Sequence, residues 1–362
     1  MKRLVSLLLL LAAVVLCIGV PASAAVDLEW RPEYQVVHMD DPVSVSLYAS
    51  SYTDWPISAL DAVILYNSPY LHFYNLTYDE AAYNWLQSGF FWPSPDNIND
   101  ELSDGDMFFT AWCRLGIPAI VGSDGLFITR FHFYAQSDPF PFQAQLTIPS
   151  VYGSVKTRVF DGIIPNRDIK GSLGTAKILV VPTGYLTSVA EAKALPDGTI
   201  INLAGPITTR SFGSYFYIED HDRKAGIRVN CSPSQVPVEG STPIISGVIR
   251  TSNGERMITG GVHPLIFHYK VPRPLGMNTR AVTTGLNPTG LLVTLSGRVT
   301  FVSANKSVFI IDDGANQITV ELHQVTAPPL DSFVAVTGAL GADSLGPVLR
   351  VNSDSDIRIY QE

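Results

Sequence analysis

The stretch "SYFYIEDHDRKAGIRV", residues 214–229, decides how the second half of the chain folds. An aromatic run is followed by a charged turn and then by the alternating run "GIRV". Aromatic and β-branched residues on both sides of a polar turn are typical of a β-hairpin. Since successive side chains of a strand point to opposite faces, Tyr215 and Tyr217 share one face and Phe216 lies on the other. The stretch therefore predicts a hairpin with tyrosines on one face.

A similar stretch, "SVFIIDDGANQITVEL", recurs at residues 307–322. The segments around the two stretches also align, with Gly205 matching Gly297 and Gly247 matching Gly338. The same order of strand, hairpin, acidic turn and return strands predicts two copies of one small fold. Both copies resemble the five-stranded OB-fold barrel of secreted bacterial proteins, through "YFYIED", "GIRV" and "SGVIRT" in the first copy. The resemblance implies barrels at 183–280 and 281–362, each with a ligand face on its central strands.

The first part of the chain also consists of short strand-like runs. "VVHMDDPVSVSLYA" and "DAVILYNSPYLHF" come first, and "DGDMFFTAWC", "GSDGLFITRFHFYA" and "TRVFDGII" follow. In order and spacing they resemble the cohesin domain, the jelly-roll β-sandwich of cellulosome scaffolds that is related to cellulose-binding modules. The predicted fold class is therefore all-β, with a sandwich at 25–182 followed by two small OB-like barrels. The resemblance implies a dockerin-like protein or a polysaccharide as partner and a link to polysaccharide breakdown.

Residues 1–24 have the pattern of a signal peptide. Lys2 and Arg3 precede an apolar run, and the "ASA" motif predicts cleavage between Ala24 and Ala25. Cys17 would suit a lipoprotein, but Leu16 is too large for the position before a lipidated cysteine. No second apolar run reaches the length of about 20 residues that a membrane span needs. The sequence therefore predicts a secreted, extracellular protein.

Composition narrows the function further. The formal net charge is −9, and a strongly acidic protein does not seek phosphate backbones, so nucleic acid is a disfavoured partner. Beyond the leader the only cysteines are Cys113 and Cys231, which excludes a disulfide framework and a cysteine-based zinc site. No histidine spacing suits a metal, and no nucleophile elbow or nucleotide-binding glycine motif occurs. The prediction is a binding protein without catalytic residues, metal or cofactor.

The tyrosines of the opening stretch allow two interpretations. In the first, Phe216 and Ile218 fill the barrel core, and Tyr215 and Tyr217 are half-exposed barrel wall. In the second, the two tyrosines form a stacking platform for nucleic-acid bases, with cations nearby from Arg210, Arg223 and Arg228. Residues 183–280 carry 10 basic and 7 acidic residues, which favours the second interpretation locally. It defines the alternative function of an exported nucleic-acid-binding protein.

An aromatic insertion, "AAYNWLQSGFFWPSP" at 81–95, supplies the leading ligand-binding candidates. They are Tyr83, Trp85, Phe91 and Trp92, because flat aromatic rings pack against sugars and partner proteins. The alternative is that these rings plug the end of the sandwich. We expect a short helix at 79–89 that packs Trp85 inwards, and an exposed Trp92.

Acidic residues recur at three turns. The pairs Glu219–Asp220 and Asp312–Asp313 follow matching strands, and their default interpretation is turn formation. The run "DNINDELSDGD" at 96–106 predicts a solvated loop. Its acidic side chains could bind calcium through their oxygens, but the run does not match the EF-hand pattern. A second short helix is expected at 188–195, with Ser188 as its cap and Glu191 three residues on.

Overall fold

The structure is a computed structural model that describes residues 25–77, 85–90, 92–113, 116–136, 138, 140–283 and 288–360. The chain divides into two compact units, one ending at Pro182 and the other comprising Thr183–Glu362. Each unit is built almost wholly of strands, because β-branched and aromatic residues alternate with polar ones over short runs. Within the described residues, no helix has the length and apolarity to cross a bilayer.

The first unit is a β-sandwich. One sheet has five strands in the order β14-β1-β3-β9-β5, with β1 and β14 parallel. Its strands are β1 (Val26–Arg31), β3 (Pro42–Ser50), β5 (Leu71–Thr77), β9 (Leu126–Ala135) and β14 (Lys170–Leu173). We refer to it as the five-stranded sheet.

The opposing sheet has eight strands, with the path β2-β15-β10-β4-β7-β6 and with β8 and β13 both paired to β4. Its strands are β2 (Tyr34–His38), β4 (Trp55–Tyr66), β6 (Trp85–Phe90), β7 (Asp106–Cys113), β8 (Ala119–Val121), β10 (Phe142–Thr147), β13 (Arg158–Asp161) and β15 (Thr175–Val181). A small hairpin, β11 (Val151–Tyr152) with β12 (Val155–Lys156), and a 3₁₀ turn (Pro95–Asn97) complete the unit.

Strand alternation builds the core between the two sheets. In β3, the side chains of Val43, Val45 and Leu47 are fully buried, while the serines between them face outwards. By the same alternation Phe131 and Phe133 of β9 point inwards, where they pack against the aromatic rings of Phe109 and Tyr66 in the eight-stranded sheet. The core therefore lies between the two sheets, where every second side chain of each strand points, as expected for a sandwich.

The second unit contains two barrels with one strand order. The first barrel runs β16-β20-β21-β19-β18-β17, and its opening strand is split at Gly205 and Pro206 so that each half lies at one end of this order. Its strands are β16 (Ile200–Ala204), β17 (Ile207–Ser211), β18 (Tyr215–Glu219), β19 (Gly226–Asn230), β20 (Ser241–Ser252) and β21 (Glu255–His268), with a 3₁₀ turn at Pro233–Gln235. The pair β19–β21 is parallel.

The second barrel closes completely, because β23 pairs with both β24 and β26. Its strands are β22 (Leu275–Gly276), β23 (Leu292–Val302), β24 (Val308–Asp312), β25 (Gln317–Leu322), β26 (Phe333–Asp343), β27 (Gly346–Val351) and β28 (Ile357–Tyr360), with a 3₁₀ turn at Asp354–Asp356. The pair β25–β27 is parallel, at the position that β19–β21 occupies in the first barrel. The two barrels therefore share one topology, as the internal repeat predicts.

A short helix precedes each barrel, and an acidic residue of the repeat caps it. Helix α1 (Val189–Ala194) begins at Ser188, and helix α2 (Thr279–Thr283) begins near Asn278. Asp220 accepts hydrogen bonds from the backbone N–H groups of Val189 and Ala190 and from the Ser188 hydroxyl. Asp313, its counterpart in the repeat, accepts from both the N–H and the hydroxyl of Thr279. The second residue of each acidic pair thus caps a helix in addition to forming a turn.

The fold class is confirmed as all-β, with a sandwich followed by two small barrels of one strand order, of which the second is closed by strand pairing. Their likeness to OB-folds stays a prediction. The helix expected at 188–195 is confirmed at 189–194. The helix expected at 79–89 is wrong where the structure describes it, since residues 85–90 form strand β6 paired to β7. Pairing with β7 outweighs the helical propensity of residues 85–90. The leader at 1–24 lies outside the described residues, and the domain boundaries stay predictions.

We predict that Asp220→Ala destabilises the first barrel by about 1–2 kcal/mol, because three donors at the start of α1 lose their acceptor. All five tryptophans belong to the first unit, so the measurement is denaturant-dependent hydrogen exchange resolved to peptides of 183–260. Asp222→Ala is the matched control, since Asp222 is exposed and pairs only with the exposed Lys224. Equal effects of the two substitutions would contradict the capping role.

Candidate functional site

The tyrosines of the opening stretch lie between the two barrels. Phe216 and Ile218 are in the core of the first barrel, as predicted. Tyr215 and Tyr217 lie on the opposite face of β18, but they are 9% and 0% exposed. They are not half-exposed barrel wall, because side chains of the second barrel cover them.

A buried ionic network surrounds Tyr217. Its hydroxyl donates to Oε1 of Glu255 at 2.5 Å, and Glu255 is itself 2% exposed. Arg350 of the second barrel donates to Glu255 at 3.0 and 3.2 Å and also to the Tyr217 hydroxyl oxygen. Arg228 approaches the other oxygen of Glu255 at 3.3 Å. Burial, reinforced by the charge of Glu255, raises the pKa of Tyr217 well above its usual value, so the phenol stays protonated and donates.

Tyr215 is held at the edge of the same network. The guanidinium of Arg228 lies over its ring at 3.8 Å, and Phe212 stacks on the ring at 4.7 Å. Nε2 of His323 lies 3.1 Å from the Tyr215 hydroxyl and 3.1 Å from Glu321. The hydrogen bond with His323, together with Arg350, lowers the pKa of Glu321 to about 2.

Gly341 makes room for this arrangement. A Cβ atom at Gly341 would overlap both the guanidinium of Arg350 and the hydroxyl of Tyr217. The close approach of β26 to the network therefore requires glycine at this position.

Arg210 is likewise a structural residue. Its guanidinium pairs with Glu239 at 3.1 Å and with Asp356 at 2.7 Å, and it is 7% exposed. Arg223 pairs with Glu219, whose buried carboxylate accepts the backbone N–H of Leu292. The proposed stacking platform of Tyr215, Tyr217, Arg210 and Arg228 is thus the contact between the barrels. It leaves no open ring face on which a nucleic-acid base could stack.

The aromatic insertion is described only in part. Trp92 is 57% exposed, which agrees with the expected exposure. Trp85 lies in β6, opposite Cys113, and its side chain is outside the described residues, as are Tyr83 and Phe91. Phe90 points inwards and makes an edge contact with Phe73. A ligand-binding role for these residues stays a prediction.

The run at 96–106 is partly packed rather than fully solvated. Ile98 is 4% exposed, and the buried Asn99 side chain bonds both the N–H and the carbonyl of Phe108. Asp96 accepts the N–H of Ser154 in the small hairpin. Ile98 and Val155 bury Val63 and Phe108 on the outer face of the eight-stranded sheet. Among the described residues, no group of three His, Cys, Asp or Glu side chains could hold a metal ion.

The outer face of the five-stranded sheet carries exposed aromatic and arginine side chains. Tyr74 and Tyr134 are 44% and 45% exposed and stack on each other with centroids 4.4 Å apart. Next to them, His132 links three strands, with its ring nitrogens 2.8 Å from the hydroxyls of Ser44 and Thr77. Burial and the neighbouring Arg130 lower the pKa of His132, so the ring is neutral at pH 7. His132 thus orders the face without adding charge.

Two arginines, Arg130 and Arg31, lie on the same outer face of the five-stranded sheet. Arg130 is exposed, donates to the Ser46 hydroxyl at 3.0 Å and lies over the ring of Phe127. Phe127 makes an edge contact with Tyr48, whose other neighbour is Arg31 at 4.2 Å from the ring centroid. Arg31 pairs with Glu29, whereas no carboxylate in the described part of the chain pairs with Arg130.

Only part of this face is readable from the sequence. In "LFITRFHFYA", period two places Arg130, His132 and Tyr134 together opposite the core residues Phe131 and Phe133. The other outward residues cannot be predicted, because strand pairing is irregular at two places. One falls between Leu47 and Tyr48 and the other between Phe73 and Asn75. A bulge shifts the phase of alternation, so the outward positions of Phe127 and Tyr74 do not follow from counting.

No family model and no curated protein match this chain. Solved structures similar to it include the OlpC cohesin of Clostridium thermocellum in a cohesin–dockerin complex (11% identity, 45% of this chain and 98% of that chain, TM-score 0.34). Another is the seventh ScaB type I cohesin of Pseudobacteroides cellulosolvens (12%, 44% and 94%, TM-score 0.33), and a third is CaCohA2 of Clostridium acetobutylicum (15%, 44% and 92%, TM-score 0.29). The first two are named as cohesins, the family that the first part of the sequence resembles.

We predict that Arg350→Ala destabilises the second unit by about 3–5 kcal/mol, because a buried carboxylate loses one of its two cations. The control is Arg358→Ala, an exposed arginine of the same barrel, which should change stability by less than about 0.5 kcal/mol. Hydrogen exchange of β18 and β27 is the measurement. If both alanine variants exchange like the wild type, the network does not hold the barrels together.

We predict that Trp92→Ala changes the stability of the first unit by less than about 1 kcal/mol, because its ring already contacts water. Trp30→Ala, which truncates a tryptophan that is 3% exposed, should cost about 3–5 kcal/mol in the same domain. Urea unfolding followed by fluorescence of the remaining tryptophans compares the two. A large loss of stability in Trp92→Ala would mean that this ring plugs the sandwich.

Proposed function

We propose that the protein is a non-catalytic extracellular binding protein whose outer five-stranded face captures a protein partner bearing acidic side chains. The observation that supports it is Arg130, an exposed guanidinium that lies on an aromatic ring and has no carboxylate partner among the described residues. Arginine and tyrosine are the residue types that most often dominate binding energy at protein interfaces. Export rests on the leader pattern at 1–24.

The two outer faces of the sandwich differ in a way that favours this surface. On the eight-stranded sheet, Ile98 and Val155 of the chain itself cover Phe108 and Val63. On the five-stranded sheet, Tyr74 and Tyr134 remain nearly half exposed. Rings that are not needed in the core, grouped on a rigid sheet, are typical of a docking surface.

The geometry also favours a protein over a flat polysaccharide at this face. Tyr74 and Tyr134 stack on one another with an interplanar angle of 23°, so each ring has one face covered by the other. Sugar platforms need ring faces directed outwards. A protein partner can place a carboxylate beside Arg130 and pack apolar side chains against Tyr74 and Tyr134. A dockerin-like partner stays a prediction from the sequence resemblance, and Trp92 is a second candidate contact.

We expect the double variant Tyr74→Ser/Tyr134→Ser and the single variant Arg130→Glu each to weaken partner binding at least about 30-fold, the loss typical of removing a central contact. The immobilised full-length mature chain first retrieves the partner from concentrated culture supernatant of the source organism. Dissociation constants are then measured with the purified partner. Arg130→Glu should show the larger effect on association rate, since it reverses a charge.

Tyr52→Ser is the matched control, because Tyr52 is 98% exposed and follows the end of β3 opposite to that at which Pro42 pairs with Tyr134. Its affinity should equal that of the wild type. The proposal fails if the face variants bind as the wild type does. It also fails if the retained material survives protease treatment, because the ligand is then not a protein.

A further inference from the structure

A polar cleft opens on the outer face of the eight-stranded sheet, between β4 and β10. It is a shallow depression, largely open to solvent, with a volume of about 370 Å³. It is lined by Leu65, Tyr66, Asn67, Gln143, Gln145 and Thr147. The cleft lies on the opposite side of the sandwich from the tyrosine and arginine face, so its function is independent of the one proposed above.

Strand alternation creates the lining. Ala144 and Leu146 of β10 are fully buried in the sandwich core, so Gln143, Gln145 and Thr147 face outwards. Side chains two residues apart on a strand are roughly 6.5–7 Å apart. The outward row of β10 therefore presents two amides and a hydroxyl at regular spacing. Thr147 pairs with Leu65 of β4, which brings an apolar side chain beside them.

The hydrogen-bonding groups of the cleft are largely unused by the protein. Oε1 of Gln143 is shielded from solvent and has no hydrogen-bond partner among the residues that the structure describes. Asn67 uses its carbonyl oxygen to accept the Gln145 N–H at 2.7 Å, which leaves its NH₂ group available to donate. Buried polar atoms in folded proteins almost always have a partner. A shielded acceptor beside further free amides therefore indicates a ligand that brings donors.

The chemistry of the lining defines the class of ligand. All the polar side chains are neutral, and each amide supplies both a donor and an acceptor. A hydroxyl group also donates and accepts, so a polyhydroxylated ligand matches the row better than a carboxylate or an ammonium group does. Leu65 offers apolar contact to C–H groups. We propose that this cleft binds a neutral saccharide, with Gln145 and Asn67 contacting neighbouring ring hydroxyls and the terminal amide of Gln143 turning towards the cleft to accept from another.

The test uses the full-length mature chain and the variant Gln143→Leu. Replacing an unpartnered buried amide by an apolar side chain of similar size should leave the stability unchanged or increase it. The same change should weaken saccharide binding at least tenfold, and Gln145→Ala should also weaken it. Gln317→Leu, an exposed glutamine of the second unit, should bind as the wild type does.

The probes are soluble cello-, xylo-, manno- and malto-oligosaccharides, studied by calorimetry, and the matching insoluble polysaccharides, studied by sedimentation. Binding of oligosaccharides identifies a free sugar or chain end, and binding of the polymers alone identifies chain interiors. Either result supports the proposal if Gln143→Leu weakens the binding at least tenfold. It is overturned if none of these neutral glycans binds or if Gln143→Leu binds them normally. Tyr74→Ser/Tyr134→Ser should keep saccharide binding, and Gln143→Leu should keep protein capture, so the two proposals fail separately.

Discussion

Arg350 and Glu255 form the contact on which the second unit depends. A carboxylate that is 2% exposed cannot remain charged at low cost unless cations replace the water it loses. Glu255 obtains one cation from its own barrel, Arg228, and the other from the next barrel, Arg350. The two barrels thus share one electrostatic centre, and separating them would expose an incompletely paired network. Replacing such a buried pair by apolar side chains is often neutral, whereas removing only one partner is strongly destabilising because the other charge stays buried.

The tyrosines show why sequence alone misjudges this region. Period two correctly separates Phe216 from Tyr215 and Tyr217, because alternation is a local property of a strand. Whether the tyrosine face meets water depends on Arg350, which lies 133 residues from Tyr217 in the chain. No local pattern contains that information. The repeat, by contrast, is readable because equal spacing of glycines and acidic turns is preserved in the sequence itself.

In the sandwich, too, the strands can be predicted from the sequence, but the candidate sites can be predicted only in part. Its strands follow from short β-branched and aromatic runs, and Trp92 is exposed as its loop position suggests. The tyrosine and arginine face was missed, because two bulges shift alternation in β5 and β9. The amides of the cleft were also missed, since Gln143 and Gln145 look like ordinary outward residues of a half-buried strand. What distinguishes them is that their side chains have no partners within the described part of the chain.

The contact between the barrels is not symmetric, and this limits how far the repeat could extend. The first barrel offers the tyrosine face of β18, and the second contributes an arginine of β27. On the second barrel, the positions equivalent to Tyr215 and Tyr217 hold Val308 and Ile310, and the position equivalent to Glu255 holds Gly346. A head-to-tail contact would otherwise add copies without end. Since these three positions offer neither a carboxylate nor a phenol, the second barrel cannot receive an arginine in the way that the first barrel does.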